Sequence, residues 1–301
     1  MKKTLAMMTA AVMVAGALAG CGSSSSTPAA TTAAATEAAT IAAATDAATT
    51  EVATTEADDT AAAAEGTLKT PSGKFTVGFD QEFPPMGFVG DDGQFTGFDL
   101  DLAKEVASRL GLEFVPQPIN WDAKDMELDS GNIDCIWNGF TMQGREDDYT
   151  WVGPYMANNQ VFVVTADSDI ASKADLAGKA VEVQKDSSGL AALQGEAELS
   201  ASFGSMTEVA DYNTALMDLE SGACDAVCMD SIVAGYQIKS SGKDMKILDD
   251  TLSAEEYGIG FKKGEDELAK AVYDTLMAMK DDGTVAKISN DWFGSDVFTL
   301  K

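Results

Sequence analysis

Between Ile133 and Tyr155 the chain reads IDCIWNGFTMQGREDDYTWVGPY. Cys135 to Trp137 read as a short buried strand, Gly139 and Gly144 break the chain into an irregular loop, and Arg145 stands as a lone cation before an aromatic return through Tyr149, Trp151 and Tyr155. A guanidinium just past the carboxyl end of a strand, beside the Asn138 amide and the Thr141 hydroxyl, suits capture of a small carboxylate, because it is planar, always charged and presents two parallel donors. The competing use of Arg145 is an ion pair with Glu146, Asp147 or Asp148. A second anion acceptor lies at Ser187-Ser188-Gly189, between a strand and a helix, where backbone N–H groups and hydroxyls converge. A plain helix cap accounts for the same residues.

These groups need elements to hold them. Phe75 to Phe79 is β-rich, and the turn-rich stretch after it leads to a helix from about Asp99 to Leu110, with Leu102, Ala103, Val106 and Leu110 on one face and Gly111 as its stop. Strand Glu113 to Pro116, helix Asp122 to Ser130 and strand Ile133 to Trp137 complete a βαβαβ unit, the pattern of a parallel sheet covered by helices. Gln160 to Thr165 reads as a crossing strand. A second βα series follows: strand Ala180 to Gln184, a helix after Gly189, helix Asn213 to Ser221, strand Asp225 to Met229, a helical segment from Ser231 and strand Lys246 to Leu248. Tyr257 to Lys262 reads as the return crossing, and helices Asp266 to Asp281 and Val285 to Trp292 close the chain. Asp129-Ser-Gly-Asn-Ile-Asp134 and Glu220-Ser-Gly-Ala-Cys-Asp225 each place a helix end, a glycine stop and an acid before a buried strand. The chain is thus expected to hold two similar α/β lobes, the second inserted in the first, with two crossings that imply a hinge and a cleft.

The start of the chain is of another kind. Lys2 and Lys3 precede an apolar run from Leu5 to Leu18, too short for a convincing membrane span and laid out like an export leader. Leu18-Ala19-Gly20-Cys21 resembles the lipobox of bacterial lipoproteins, in which the cysteine is lipidated, so residues 1–20 are expected to be a signal peptide and Cys21 a membrane anchor. Residues 21–66 are rich in Ser, Thr and Ala and lack an apolar face, so they are expected to form a disordered tether. A net charge of −29 opposes binding of nucleic acid or anionic lipid. The 301 residues contain no histidine, which removes the commonest general base and metal ligand; Cys135, Cys224 and Cys228 are expected to be small buried hydrophobes, and no cofactor or metal is expected.

The region from about Phe75 to Phe293 resembles family 3 solute-binding proteins, the receptors of polar amino acid ABC importers. The resemblance rests on Gly78-Phe-Asp-Gln-Glu-Phe-Pro-Pro85, Gly97-Phe98-Asp99-Leu-Asp-Leu-Ala103, Ser130-Gly-Asn-Ile-Asp134, Gly139-Phe-Thr141 with Arg145, Asp225-Ala-Val-Cys-Met-Asp230, and Asp282-Gly283-Thr284 with Trp292-Phe293-Gly294. It implies a two-lobed periplasmic-binding-protein-like fold of type II, each lobe a βα sheet sandwich, with residues 67–163 and 258–301 in lobe 1 and 164–257 in lobe 2. It also implies a monomer that is anchored outside the cytoplasm, binds an amino acid without catalysis and delivers it to ABC permease subunits. By the same resemblance Arg145, Ser188 and Gly189 hold the ligand carboxylate; Asp230, the Gly139 carbonyl and the Thr141 hydroxyl hold its ammonium; Phe83 and Trp121 contact its side chain. Asp230 also suits a helix cap. Asp80 either reads a polar or cationic side chain or caps its own loop, and Asn138 is equally open. The Thr141–Arg145 interval is one residue shorter than the family's usual one, and Asp186 stands where the family commonly has glycine. The alternatives are a dehydratase-like exported enzyme on the same fold, or a ligand sensor.

Overall fold

The computed structural model describes residues 72–301; the expected leader, the lipidation at Cys21 and the tether lie outside the described residues. In chain order the elements are β1 (Lys74–Phe79), β2 (Glu82–Phe83), β3 (Gly87–Val89), β4 (Phe95–Thr96), α1 (Phe98–Leu110), β5 (Glu113–Pro118), α2 (Lys124–Ser130), β6 (Cys135–Thr141) and β7 (Tyr149–Thr165). There follow β8 (Ala180–Gln184), α3 (Ser188–Gly195), α4 (Ala197–Ser202), β9 (Ser205–Val209), α5 (Tyr212–Ser221), β10 (Ala226–Asp230), α6 (Ser231–Ser241), β11 (Met245–Lys262), α7 (Asp266–Asp281) and α8 (Thr284–Phe293). One eight-stranded sheet runs β5-β1-β6-β11-β7-β10-β8-β9. Its two wings, β5-β1-β6 and β10-β8-β9, are parallel, as βα crossovers require, whereas β7 and β11 are antiparallel to each other and join the wings at the centre. The mixed α/β, two-lobed architecture is therefore present, with α1 and α2 against the first wing, α7 and α8 packed beside α1, and α3, α5 and α6 against the second wing.

The central pair differs from the sequence reading. Residues between Leu248 and Tyr257 are polar and poor in strand formers, yet Met245–Lys262 is one strand of 18 residues paired along β7, with register shifts at Ile247/Thr251, Thr251/Ser253 and Tyr257/Ile259. Pairing with a 17-residue neighbour overrides weak local propensity, and the register shifts absorb the mismatch. For the same reason β6 extends from Cys135 to Thr141, all seven residues buried, so Gly139 is within a strand and not in a loop. The turn-rich segment after β1 holds a small antiparallel sheet, β2-β3-β4, whose strands are too short to leave a period in the sequence.

The start of α1 ties this small sheet to the first wing. Phe98 and Asp99 donate backbone N–H groups to Pro85 O and Met86 O at 2.8 and 3.0 Å. Asp99 is fully buried; its Oδ2 accepts the Gly139 N–H at 2.7 Å and the Tyr155 hydroxyl at 2.8 Å. Gly97 precedes the helix at φ +144°, and a Cβ there would lie 2.2 Å from Met86 O. Gly97→Ala is therefore expected to cost about 3 kcal/mol of stability in urea unfolding, through backbone conflict and an unsuitable φ. Burial pushes the Asp99 carboxyl up to about 7 from 3.8, opposed by the Tyr155 and Gly139 hydrogen bonds. Between roughly pH 4 and pH 7 the folded chain binds this proton more tightly than the unfolded chain does, so the contribution of Asp99 to stability falls as pH rises through that interval. Asp99→Asn, which has no such proton, should accordingly lose less stability than the parent between about pH 5 and pH 8; equal losses would mean that Asp99 does not titrate there.

Candidate functional site

The C-terminal end of β6, the N-terminal turn of α3 and the end of β10 converge on a tightly closed cavity of about 10 Å³ between the lobes. Phe83, Trp121, Gly139, Thr141 and Arg145 line it from one side, and Gln184, Ser187, Ser188, Tyr212 and Asp230 from the other. Eight residues singled out from sequence are in this lining. Gly189, Asp80 and Asn138 are not: they sit one layer behind it.

Arg145 is held by a turn that settles the short interval after Thr141. The Arg145 N–H donates to Met142 O at 3.0 Å with Gly144 at φ +79°, a left-handed position that glycine enters without strain. The guanidinium then lies over the Phe140 ring, 5.1 Å from its centroid, and donates to Thr141 O and Asp186 O at 3.2 and 3.4 Å. It makes no ion pair with Glu146, Asp147, Asp148 or any other carboxylate among the described residues. A half-buried guanidinium whose contacts are two carbonyls and an aromatic face is a cation without a counterion. Asp186 does not compete with an anion here, since its carboxylate pairs with the buried Lys124 ammonium and its backbone takes φ +56°.

Opposite Arg145, Asp230 is 3% exposed and closes β10. It accepts from Gln160 Nε2 at 2.6 Å, Tyr257 Oη at 3.0 Å and Asn158 Nδ2 at 3.2 Å. Burial, and then the charge of Glu255, push its carboxyl well above the usual range. Glu255, itself buried, accepts from Asn158 Nδ2 at 2.6 Å and from Gln160 Nε2 and Thr141 Oγ1 at 3.0 Å each. No Lys or Arg forms an ion pair with either carboxylate among the described residues. Thr141 Oγ1 lies 3.1 Å from Ser188 Oγ, so the two sides touch at this point.

The α3 turn is built as expected: Ser187 caps it by accepting the Leu190 N–H at 3.1 Å. Gly189 is buried, and a side chain there would start 2.7 Å from Gln160 Oε1. Phe83 packs on Tyr212 with ring centroids 5.8 Å apart, and Trp121 stands edge-on to Phe140. Asp80 caps its loop by accepting the Glu82 N–H at 2.9 Å, and its other carboxylate oxygen accepts from Gln184 Nε2 at 2.7 Å. Burial raises its carboxyl to about 6. Asn138 accepts the Asp80 N–H at 3.1 Å and so orients that loop from behind.

Ser187, part of the expected anion-binding turn, is also in the lining. Sequence reasoning missed Gln184 and Tyr212 in the lining, and Asn158, Gln160, Glu255 and Tyr257 beneath it. Their signal was weak. Asn158 and Gln160 precede the apolar run Val161 to Val164, and only the extension of β7 shows that they are buried mid-strand. Glu255 falls in the polar stretch taken for a connection. Cys135, Cys224 and Cys228 are free and buried, as expected; burial raises the Cys224 thiol to about 12 and pushes the other two well above the usual thiol range.

Residues 75–295 match the model of bacterial extracellular solute-binding proteins, family 3. The L-cystine-binding protein TcyJ of Escherichia coli strain K12 is 32% identical over 243 residues, covering 78% of this chain and 89% of the relative. The L-cystine-binding protein TcyA of Bacillus subtilis strain 168 is 32% identical over 229 residues, covering 75% and 83%. Among solved structures, an ABC uptake transporter substrate-binding protein from Streptococcus pneumoniae with bound histidine superposes with a TM-score of 0.74 at 34% identity, covering 76% of this chain and 96% of that one. The match over most of the described residues and these identities agree with the resemblance carried by the motifs: the chain belongs to the bacterial extracellular solute-binding proteins, family 3.

Proposed function

We propose that this chain captures a free amino acid, or a close analogue, between its lobes and delivers it to an ABC importer without chemical change. The observation that carries the reading is the pairing of opposite needs across one cavity: among the described residues Arg145 is paired with no carboxylate, and Asp230 with no cation. An α-amino acid supplies both in one small molecule. Its carboxylate meets Arg145 with the N–H groups of the α3 turn at Ser188 and Gly189; its ammonium meets Asp230, the Thr141 hydroxyl and the Gly139 carbonyl. Phe83, Trp121 and Tyr212 wall the side chain, and Asp80, through Gln184, favours a polar or cationic one. Both charges of the zwitterion are then paired on leaving water, which offsets their desolvation.

Membership in a binding-protein family supports the absence of catalysis, as do relatives named for cystine binding and a related structure holding histidine. Closure of residues 67–163 and 258–301 against 164–257 is assigned to β7 and β11, the two central strands that join the wings. No helix among the described residues is long and apolar enough to cross a membrane. Attachment is assigned to lipidation of Cys21 on the lipobox-like Leu18-Ala19-Gly20-Cys21, with residues 21–66 linking the monomer to the membrane beside its permease.

A thermal-unfolding screen against the twenty common amino acids and L-cystine tests the reading. Binding at a hundredfold excess over Kd adds about 2.7 kcal/mol to the native state, or roughly 5–10 °C for a domain of this size. At least one compound should give such a shift, and silence from all of them would overturn the proposal. Arg145→Ala and Asp230→Asn each strand one charge of that compound in the cavity, so calorimetry should show affinity reduced at least about 30-fold. Parent-like affinity in Arg145→Ala would refute the carboxylate assignment.

A further inference from the structure

Asp230 and Glu255 form a pair of carboxylates from adjoining parts of the sheet, 3% and 5% exposed. Two amide nitrogens bind both: Gln160 Nε2 lies 2.6 Å from Asp230 Oδ1 and 3.0 Å from Glu255 Oε1, and Asn158 Nδ2 lies 3.2 Å from Asp230 Oδ2 and 2.6 Å from Glu255 Oε1. Every hydrogen-bond donor to the pair is neutral, the others being Tyr257 Oη and Thr141 Oγ1. Two buried negative charges that share donors and lack a cation in contact cannot both be held cheaply at neutral pH. The charged and titratable groups facing them are Arg145 from the turn after β6, Tyr212 on α5, Tyr257 on β11 and Cys228 on β10; burial keeps both tyrosines and the cysteine protonated, and Arg145 is the one cation of this set.

We infer that the Asp230 carboxyl, sharing its amide donors with the neighbouring Glu255 carboxylate, holds one proton before ligand arrives, and that the ligand's ammonium takes that proton's place, so amino acid binding releases a proton to solvent. The inference rests on the amino acid reading above. Thr141 carries the effect to Glu255. Its single hydroxyl hydrogen can go to Glu255 Oε1 at 3.0 Å or to Ser188 Oγ at 3.1 Å. An ammonium donating to the Thr141 oxygen turns that hydrogen onto Glu255, while Asp230 meets the ammonium directly. The ligand's carboxylate neutralises Arg145 and acts in the opposite sense, but from farther away than the ammonium in contact, so the nearer charge decides. Glu255 is thus a positioning residue: it need not touch the ligand, yet it makes binding proton-linked. The proton balance is simple: one leaves the carboxylate pair for the buffer, and no bond to the ligand is made or broken.

The test titrates the whole protein calorimetrically with L-arginine and with L-cystine near pH 7, in buffers with different heats of ionisation. For whichever probe binds, the observed heat should vary with buffer heat with a slope corresponding to release of up to about one proton, and affinity should rise up to about tenfold per pH unit across the range where Asp230 titrates. Glu255→Gln should give a slope near zero and an affinity that is flat with pH, whatever its level. An infrared difference spectrum of the parent, in which ligand removes one protonated-carboxyl band, reads the same proton without any substitution and stands even if the variant does not fold. Binding with a zero slope in the parent, or a parent-like slope in Glu255→Gln, would overturn the inference and leave the amino acid reading intact. No heat with either probe and no melting shift with any amino acid would overturn both.

Discussion

The constraint on which the rest of this structure depends is that charge is buried at the lobe interface without being balanced there. Arg145 on one side and the Asp230–Glu255 pair on the other are kept in place by neutral dipoles: carbonyls for the cation, amides and hydroxyls for the anions. Such an arrangement is expensive in the isolated protein, since each ion has left water for partners that only partly replace it. A protein selected for stability alone would fill these positions with an ion pair or with apolar residues. Retention of the imbalance makes sense where a small dipolar molecule completes it, and the cost of the site becomes part of its affinity.

Holding unbalanced charges still requires a rigid frame. Asn158 and Gln160 on β7 and Glu255 and Tyr257 on β11 lie where these two long strands pair along their middle, at Asn158–Glu255 and Met156–Tyr257. The same strands join the wings, so the donors that grip Asp230 belong to the segments through which any relative motion of the lobes must pass. Ligand charge and lobe geometry are thereby coupled through adjacent residues and need no long-range pathway. Asp99 extends the frame in the first lobe, since one buried carboxylate oxygen holds both the Gly139 N–H and the Tyr155 hydroxyl.

The sequence displayed the wings more clearly than the centre. Strand Ala180–Gln184 and helix Asp266–Asp281 have the bounds expected from their apolar periods, because a buried face imposes a regular pattern. Arg145, Asp230, Thr141 and Ser188 were legible because unusual residue types stand at strand ends or in glycine-marked turns. Glu255 and Gln160 were not, because their burial comes from the pairing of Gln160 with Ser253 and of Asn158 with Glu255, far apart in the chain, and leaves no local mark. The small sheet β2-β3-β4 was hidden for a related reason: strands of two or three residues have no period to read.

Contacts across the cleft show how finely the two lobes are balanced. Lys185 pairs with Asp122 at 2.7 Å, with side chains 56% and 40% exposed, a class of ion pair worth about 0–1 kcal/mol. Lys124 reaches Asp186, and Asn213 reaches Glu82, from comparably short links across the same gap. Lys124 is the costlier element, being 2% exposed, but its half-exposed partner limits what the pair returns. These links fix the orientation in which the lobes meet more than they fix the strength of the meeting. On the amino acid reading, the term large enough to decide closure is the one supplied when Arg145 and Asp230 both receive their missing partners. A receptor whose empty interface is nearly neutral in free energy can devote most of the ligand's binding energy to changing shape, because a ligand shifts such an equilibrium only by its differential affinity for the two states.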